Sequence, residues 1–157
     1  MIYVTHDQTE ALTFADQVAV MAEGGLLQVG TPEQIYTTPS CEFVGYFIGS
    51  PGMNFVDAEQ LAPSLSLLAG TQRVGFRAEW AQLQAQDAGQ LRGVVKSIQL
   101  AGTEYGAATG VVRLQTAAGQ IAVRGQLDVT VGQSVGIHLA RHLCFSAQGQ
   151  LLLEDYE

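Results

Sequence analysis

The hydrophobic positions of this 157-residue chain change rhythm about a third of the way along. Before residue 50, short apolar runs mix with stretches of helical spacing. Ile2-Tyr3-Val4-Thr5 predicts a short buried strand. Asp7, with Glu10 three residues on and Ala11-Leu12 and Ala15 behind it, predicts a helix N-terminus of the capping-box kind. Two apolar runs, 17–21 and 26–29, flank Ala22-Glu23-Gly24-Gly25 and predict a hairpin, because glycine takes positive φ at little cost. In Thr31-Pro32-Glu33-Gln34 the threonine suits an N-cap, the proline a first helical position, and the glutamine a third position from which it reaches back. A short helix through Tyr36 follows. After Pro39-Ser40, Phe43, Val44, Phe47 and Ile48 recur at helical spacing and predict a second helix with one buried face, stopped by Gly49-Ser50-Pro51-Gly52.

From Met53 the pattern is different: short Val/Leu/Ile/Phe runs at 74–77, 93–98, 110–114, 121–124, 135–139 and 143–145, with glycine-containing turns between them. That pattern predicts a small antiparallel barrel. The expected architecture is α+β overall, with a boundary near Ser50 that divides residues 1–50 from 51–157.

Composition narrows the function classes. At 47% hydrophobic and 14% charged, the chain can bury a core. Fifteen acidic residues against seven basic ones give a formal charge of −8, which opposes the electrostatics of nucleic-acid binding and of an acidic membrane surface. Cys41 and Cys144, far apart and without C-x-x-C spacing, fit reduced thiols in a cytoplasm. The chain shows no apolar run of about 20 residues and no secretory leader pattern. A cytoplasmic location is therefore expected.

The candidate chemistry begins at Thr5-His6-Asp7, where a histidine stands at a strand-to-helix junction suited to meeting a phosphate. Such a histidine needs a phosphate cradle, usually G-x-x-x-x-G-K-[ST]. The only lysine is Lys96, inside a Val/Ile-rich run, and the stretch from Gly25 to Gly30 is followed by Thr31-Pro32 where Lys and Ser/Thr would have to stand. The chain therefore reads as the tail of a larger enzyme, and by itself it is expected neither to bind nor to hydrolyse ATP. Asp7 and Glu10 read as first-turn caps rather than an acid–base pair, and Gln8 at most orients His6. His138, His142 and Cys144 carry donors that suit zinc, but a strand–turn–strand setting does not bring both rings to one face, so no metal is expected. Phe76, Trp80, Tyr105 and Phe145 could stack on bases in a barrel of the oligonucleotide-binding type, yet they read as core residues and the charge is wrong. Trp80 and Arg77 either line a small-molecule or partner site or, in the simpler reading, Trp80 closes one barrel end.

Taken in order, these residues resemble one family: the ATPase subunits of ABC importers of the maltose and glycerol-3-phosphate type. Its switch-histidine pattern V-T-H-D-Q-x-E-A is matched by residues 4–11, Q-x-G-x-P by 28–32, P-x-x-x-F-V by 39–44 and F-I-G-S-P-x-M-N-F by 47–55. The family's G-x-R-P-E motif stands as Gly75-Phe76-Arg77-Ala78-Glu79, with alanine replacing proline. The resemblance implies that residues 1–50 are the C-terminal remnant of a P-loop ATPase domain and that 51–157 form an OB-like regulatory (TOBE) barrel. It implies that His6 contacts the γ-phosphate of ATP and the attacking water once magnesium and a cradle are present. It further implies permease subunits and a second ATPase subunit as partners, a position at the inner side of the cell membrane, and import of a carbohydrate, polyol or glycerophosphate-like solute. An apolar strand at 2–5 without neighbours would make the fragment self-associate. The alternative reading is a free-standing OB-like module that binds a small molecule or protein and has no ATPase activity.

Overall fold

The computed structural model of the protein describes residues 1–61, 63, 65–104 and 107–153. Helix α1 (Gln8–Phe14) begins on Asp7, whose Oδ1 accepts the Thr9 and Glu10 backbone N–H groups at 2.8 and 3.2 Å. The reciprocal half of the expected capping box is not made. The Asp7 N–H donates to Thr5 Oγ1, and the Glu10 carboxylate instead receives the Tyr3 and Thr5 hydroxyls.

The expected strand at Ile2–Thr5 does not form. Ile2 and Val4 are 94% and 90% exposed, and among the described residues no strand runs beside them. An all-apolar strand is stable only when sheet neighbours cover both edges and both faces, and these four residues have neither.

The hairpin forms as read, with β1 (Val18–Ala22) antiparallel to β2 (Gly25–Gly30). Its two loop residues, Glu23 and Gly24, have φ of 51° and 77°, the pair of positive values that a tight hairpin turn needs. Helix α2 (Pro32–Thr37) opens on a complete capping box: Thr31 Oγ1 accepts the Gln34 N–H, and Gln34 Oε1 accepts the Thr31 N–H. Helix α3 (Glu42–Phe47) turns Val44 inward, with Ile48 just past its end. Phe43 and Phe47, expected on the same buried face, stay half-exposed and stack on each other. The core here is Val18, Val20, Ile35, Val44 and Ile48, and it is filled before those rings can reach it.

Residues 54–152 build two open antiparallel sheets. One has the order β11 (Leu151–Leu152), β10 (Leu143–Phe145), β4 (Arg73–Phe76), β3 (Asn54–Asp57). The other has the order β5 (Ala81–Gln84), β9 (Ser134–Leu139), β6 (Leu91–Glu104), β7 (Ala107–Thr116), β8 (Gly119–Gln126). Their facing sides share one core that includes Val56, Val74, Phe76, Val95, Leu114 and Ile137. Every strand expected from the apolar runs after Met53 is present.

A side chain bridges the two sheets where their edges meet. Asn54 on β3 donates from Nδ2 to the Ala122 carbonyl on β8 at 2.9 Å, and its Oδ1 accepts the Ala122 N–H at 2.8 Å. The amide thus supplies the donor and acceptor that a neighbouring strand would present. Among the described residues no helix is long and apolar enough to cross a membrane.

Candidate functional site

His6 lies on an exposed bend between the open N-terminal residues and α1. Asp7 caps the helix, while Glu10 accepts from the Tyr3 and Thr5 hydroxyls, so the two carboxylates do not form the acid–base pair set aside in the sequence. Gln8 points the other way: its Oε1 accepts the Gly49 N–H at 3.0 Å and ties the first turn of α1 to the loop after α3. An exposed imidazole can donate one N–H to a phosphate oxygen, which fits the expected role, but no other described side chain forms a cradle with it.

The sheets meet the helices at Arg77. Its side chain is fully buried and donates through Nε and Nη2 to the Tyr36 carbonyl at 3.0 and 2.7 Å, and through Nη1 to the carbonyls of Gly45, at 2.8 Å, and Ile48. These carbonyls lie in the last turns of α2 and α3, where helix geometry leaves acceptors unpaired and a cation is favoured. The guanidinium also lies 4.1 Å from the centre of the Tyr36 ring. Burial holds the Arg77 pKa below its ordinary value, and the Tyr36 and Glu79 side chains pull it back up. The Tyr36 hydroxyl donates to Glu79. Burial, reinforced by that bond, raises the Tyr36 phenol to about 12. Gly49 takes a φ of 111° beside Arg77, and a Cβ there would sit 3.2 Å from Nη1. The sequence offers Arg77 as part of the lining of a small-molecule or partner site, whereas the geometry makes it an internal joint. The signal in the sequence was an arginine directly after the apolar run 74–76, but nothing local pointed to its three carbonyl partners.

Two further links cross the same junction. Arg73 Nη1 reaches Glu42 Oε2 at 3.1 Å, and the β10–β11 turn returns to α3 through Glu42 N–H to the Gly149 carbonyl and Leu151 N–H to the Ser40 carbonyl.

The remaining candidates divide cleanly. Phe76 is completely buried in the core between the sheets, and Phe145 is completely buried on the other face of its sheet, edge-on to Phe55. Tyr105 lies outside the described residues. Trp80 packs partly against the core, and Arg141 stacks over its ring at 4.3 Å. His142 lies near Cys144, with Nε2 3.0 Å from the Ser66 carbonyl; the neighbouring thiol, helped by that carbonyl, raises the imidazole pKa against the opposing effect of burial. Burial pushes the Cys144 thiol up, but bonds with His142, the Leu68 backbone and Thr71 bring it below its ordinary value. His138 does not complete a set with them, and among the described residues no three metal-ligating side chains gather.

No protein-family model matches the chain. Individual proteins do. It is 43% identical over 106 residues to an sn-glycerol-3-phosphate import ATP-binding protein of Rhizobium johnstonii, a stretch that covers 66% of this chain and 31% of the relative. It is 60% identical over 57 residues to the trehalose/maltose import ATP-binding protein of Thermococcus litoralis, covering 36% of this chain and 15% of that one. It is 54% identical over 69 residues to the trehalose import ATP-binding protein of Mycobacterium tuberculosis, covering 44% and 18%. The chain spans about a third or less of the length of the curated relatives it matches.

Proposed function

We propose that this chain, homologous to part of the ATP-binding subunits of ABC importers for sugars and sn-glycerol-3-phosphate, joins the end of an ATP-hydrolysing domain to a regulatory domain. Residues 1–50 form the C-terminal remnant of the P-loop α/β domain, and residues 51–157 form the OB-like barrel. The observation that carries this reading is 42–60% identity to proteins named for ATP-driven import of these solutes. The geometry adds support at both ends of the helical segment. His6 is free to donate to a terminal phosphate oxygen as charge develops there, given a nucleotide held by residues outside this chain. ATP with magnesium supplies the transferable phosphoryl group, and His6 is the group this chain contributes to it.

Exposed apolar side chains at Ile2, Val4, Phe14, Met21 and Leu26 form a surface suited to packing against the rest of such a domain. In that setting Ile2–Thr5 becomes an interior strand. The complete protein then works at the inner side of the cell membrane with permease subunits and a second ATPase subunit, on a carbohydrate, polyol or glycerophosphate-like solute. The chain by itself handles no nucleotide. Calorimetry with magnesium-ATP tests that statement: the expected result is no saturable heat, and micromolar binding contradicts it. A second reading, a free-standing binding module, is favoured by the core shared between the two sheets, in which Phe76, Val95, Leu114 and Ile137 are shut off from solvent.

A further inference from the structure

The outer face of β7 and β8 carries a charge arrangement that the ATPase reading does not use. Strand register puts Val112, Leu114, Ile121 and Val123 on the core side, so Val111, Arg113, Ala122 and Arg124 share the opposite side. Arg113 pairs with Ala122 and Val111 pairs with Arg124, which makes the two arginines diagonal neighbours about 7–8 Å apart. Between them Val111 and Ala122 form a small buried apolar patch with Ala78.

Among the described residues no carboxylate shares this part of the face. The register sets Ser97 and Gln99 on β6 opposite Arg113 and Val111, and Gln115 and Gln120 continue the same row. Glu42, which lines the α3 side of the adjoining cleft, is paired with Arg73 at 3.1 Å. Among the described residues Arg113 makes no hydrogen bond or ion pair, and Arg124 donates only to the Ser50 carbonyl, at 2.7 Å. The nearby carboxylates are engaged elsewhere: Glu42 with Arg73 and Glu79 with the Tyr36 hydroxyl. Two like charges held side by side without compensation favour an anion between them.

The surface is also concave. A recess of about 210 Å³ lies against both arginines, with Pro51 and Gln99 in its wall. It shares Ser50, Pro51 and Arg113 with a larger cleft of about 920 Å³. The far wall of that cleft is the solvent side of α3, where the Phe43 and Phe47 rings stack with centroids 5.6 Å apart and 11° between their planes, and Tyr46 is exposed beside them. A cationic end next to an aromatic wall matches a ligand with an anionic head and a ring body.

We infer that the cleft between α3 and the outer face of β7–β8 binds a small ring-bearing organic anion, with its phosphate or carboxylate head at Arg113 and Arg124 and its body toward Phe43, Tyr46 and Phe47. The site does not depend on the ATPase reading, since none of these residues takes part in the role given to His6.

Nuclear magnetic resonance titration of the full 157-residue chain tests it, with phenyl phosphate, benzoate and inorganic phosphate as probes. Phenyl phosphate should saturate with a Kd of about 0.1–1 mM, and inorganic phosphate should bind at least about tenfold more weakly because it has no body to stack. Benzoate matching phenyl phosphate assigns the site to carboxylates as well as phosphates, whereas a phenyl phosphate preference assigns it to phosphate esters; either fits. Arg113→Gln and Arg124→Gln should each weaken binding by about tenfold or more, as expected for loss of a charge-assisted bond. Both side chains are exposed, so the variants should keep the native spectrum. Arg92→Gln, an exposed arginine paired with Asp87, should change binding by less than about twofold. No saturation by about 10 mM phenyl phosphate overturns the site. So does binding that Arg113→Gln leaves unchanged, and inorganic phosphate binding as tightly as phenyl phosphate overturns the role given to the aromatic wall.

Discussion

Replacing Arg77 by alanine removes four N–H donations to three backbone carbonyls at once. The Gly45 carbonyl keeps the Met53 N–H at 3.0 Å, but the carbonyls of Tyr36 and Ile48 lose the donors that Arg77 supplied. Each shielded acceptor left without a partner costs about 1–3 kcal/mol, so the two together cost about 2–6 kcal/mol. The void left by a fully buried side chain adds to this, and release of a desolvated charge offsets part of it. A net loss of about 3–5 kcal/mol follows, a large share of the roughly 5–15 kcal/mol that holds a domain folded. Urea denaturation followed by circular dichroism gives the difference directly. Hydrogen exchange locates it: amides of α2 and α3 should lose protection while those of β6, β7 and β8 keep theirs. Arg77→Lys retains the charge but not the planar fork, and should fall between wild type and alanine. If Arg77→Ala costs under about 1 kcal/mol, no more than a typical exposed substitution, the joint described here is wrong.

Other consequences are as direct. Asn54→Ala should cost about 2–4 kcal/mol by urea denaturation, because the N–H and carbonyl of buried Ala122 lose their partner; a loss below about 0.5 kcal/mol contradicts the edge bridge. Tyr36, with a folded pKa raised to about 12, contributes stability that is complete below the phenol's ordinary value of 10.0 and is lost as pH rises from there toward 12. Tyr36→Phe should therefore flatten the fall in stability between pH 10.0 and about 12, and an unchanged slope removes this assignment. The exposed apolar residues Ile2, Val4, Phe14 and Met21 should make the chain self-associate, which size-exclusion chromatography with light scattering reads as mass rising with concentration. A strict monomer at all concentrations argues against that.

Local chemistry made most of the secondary structure legible. The Thr31-Pro32-Glu33-Gln34 box, the Glu23-Gly24 turn and the strands after Met53 depend on neighbours a few residues away, and all appear where the sequence puts them. What depends on distant partners was not legible. Ile2–Thr5 is apolar enough for a strand but has no described neighbour to pair with, so it stays open. Phe43 and Phe47 keep helical spacing, yet Ile35 and Ile48 already fill the space they would occupy. Asn54 and Arg77 act through partners on other elements, 68 and up to 41 residues away, which no local pattern encodes. Arg113 and Arg124 look like unrelated strand arginines until the register places them diagonally on one face. His6 is expected from the sequence to meet a phosphate, and the structure shows only that it is exposed on a bend with no described side chain forming a cradle beside it.

The central claim is that His6 serves a nucleotide held by residues outside this chain. It is tested most directly by joining residues 1–157 behind the preceding segment of a matched sn-glycerol-3-phosphate import ATP-binding protein and measuring steady-state ATP hydrolysis with and without His6→Ala. The account predicts that the joined protein hydrolyses ATP, and that His6→Ala lowers turnover by about 100-fold or more while nucleotide binding survives. Near-normal hydrolysis by the alanine variant, in a joined protein that is active, would contradict it.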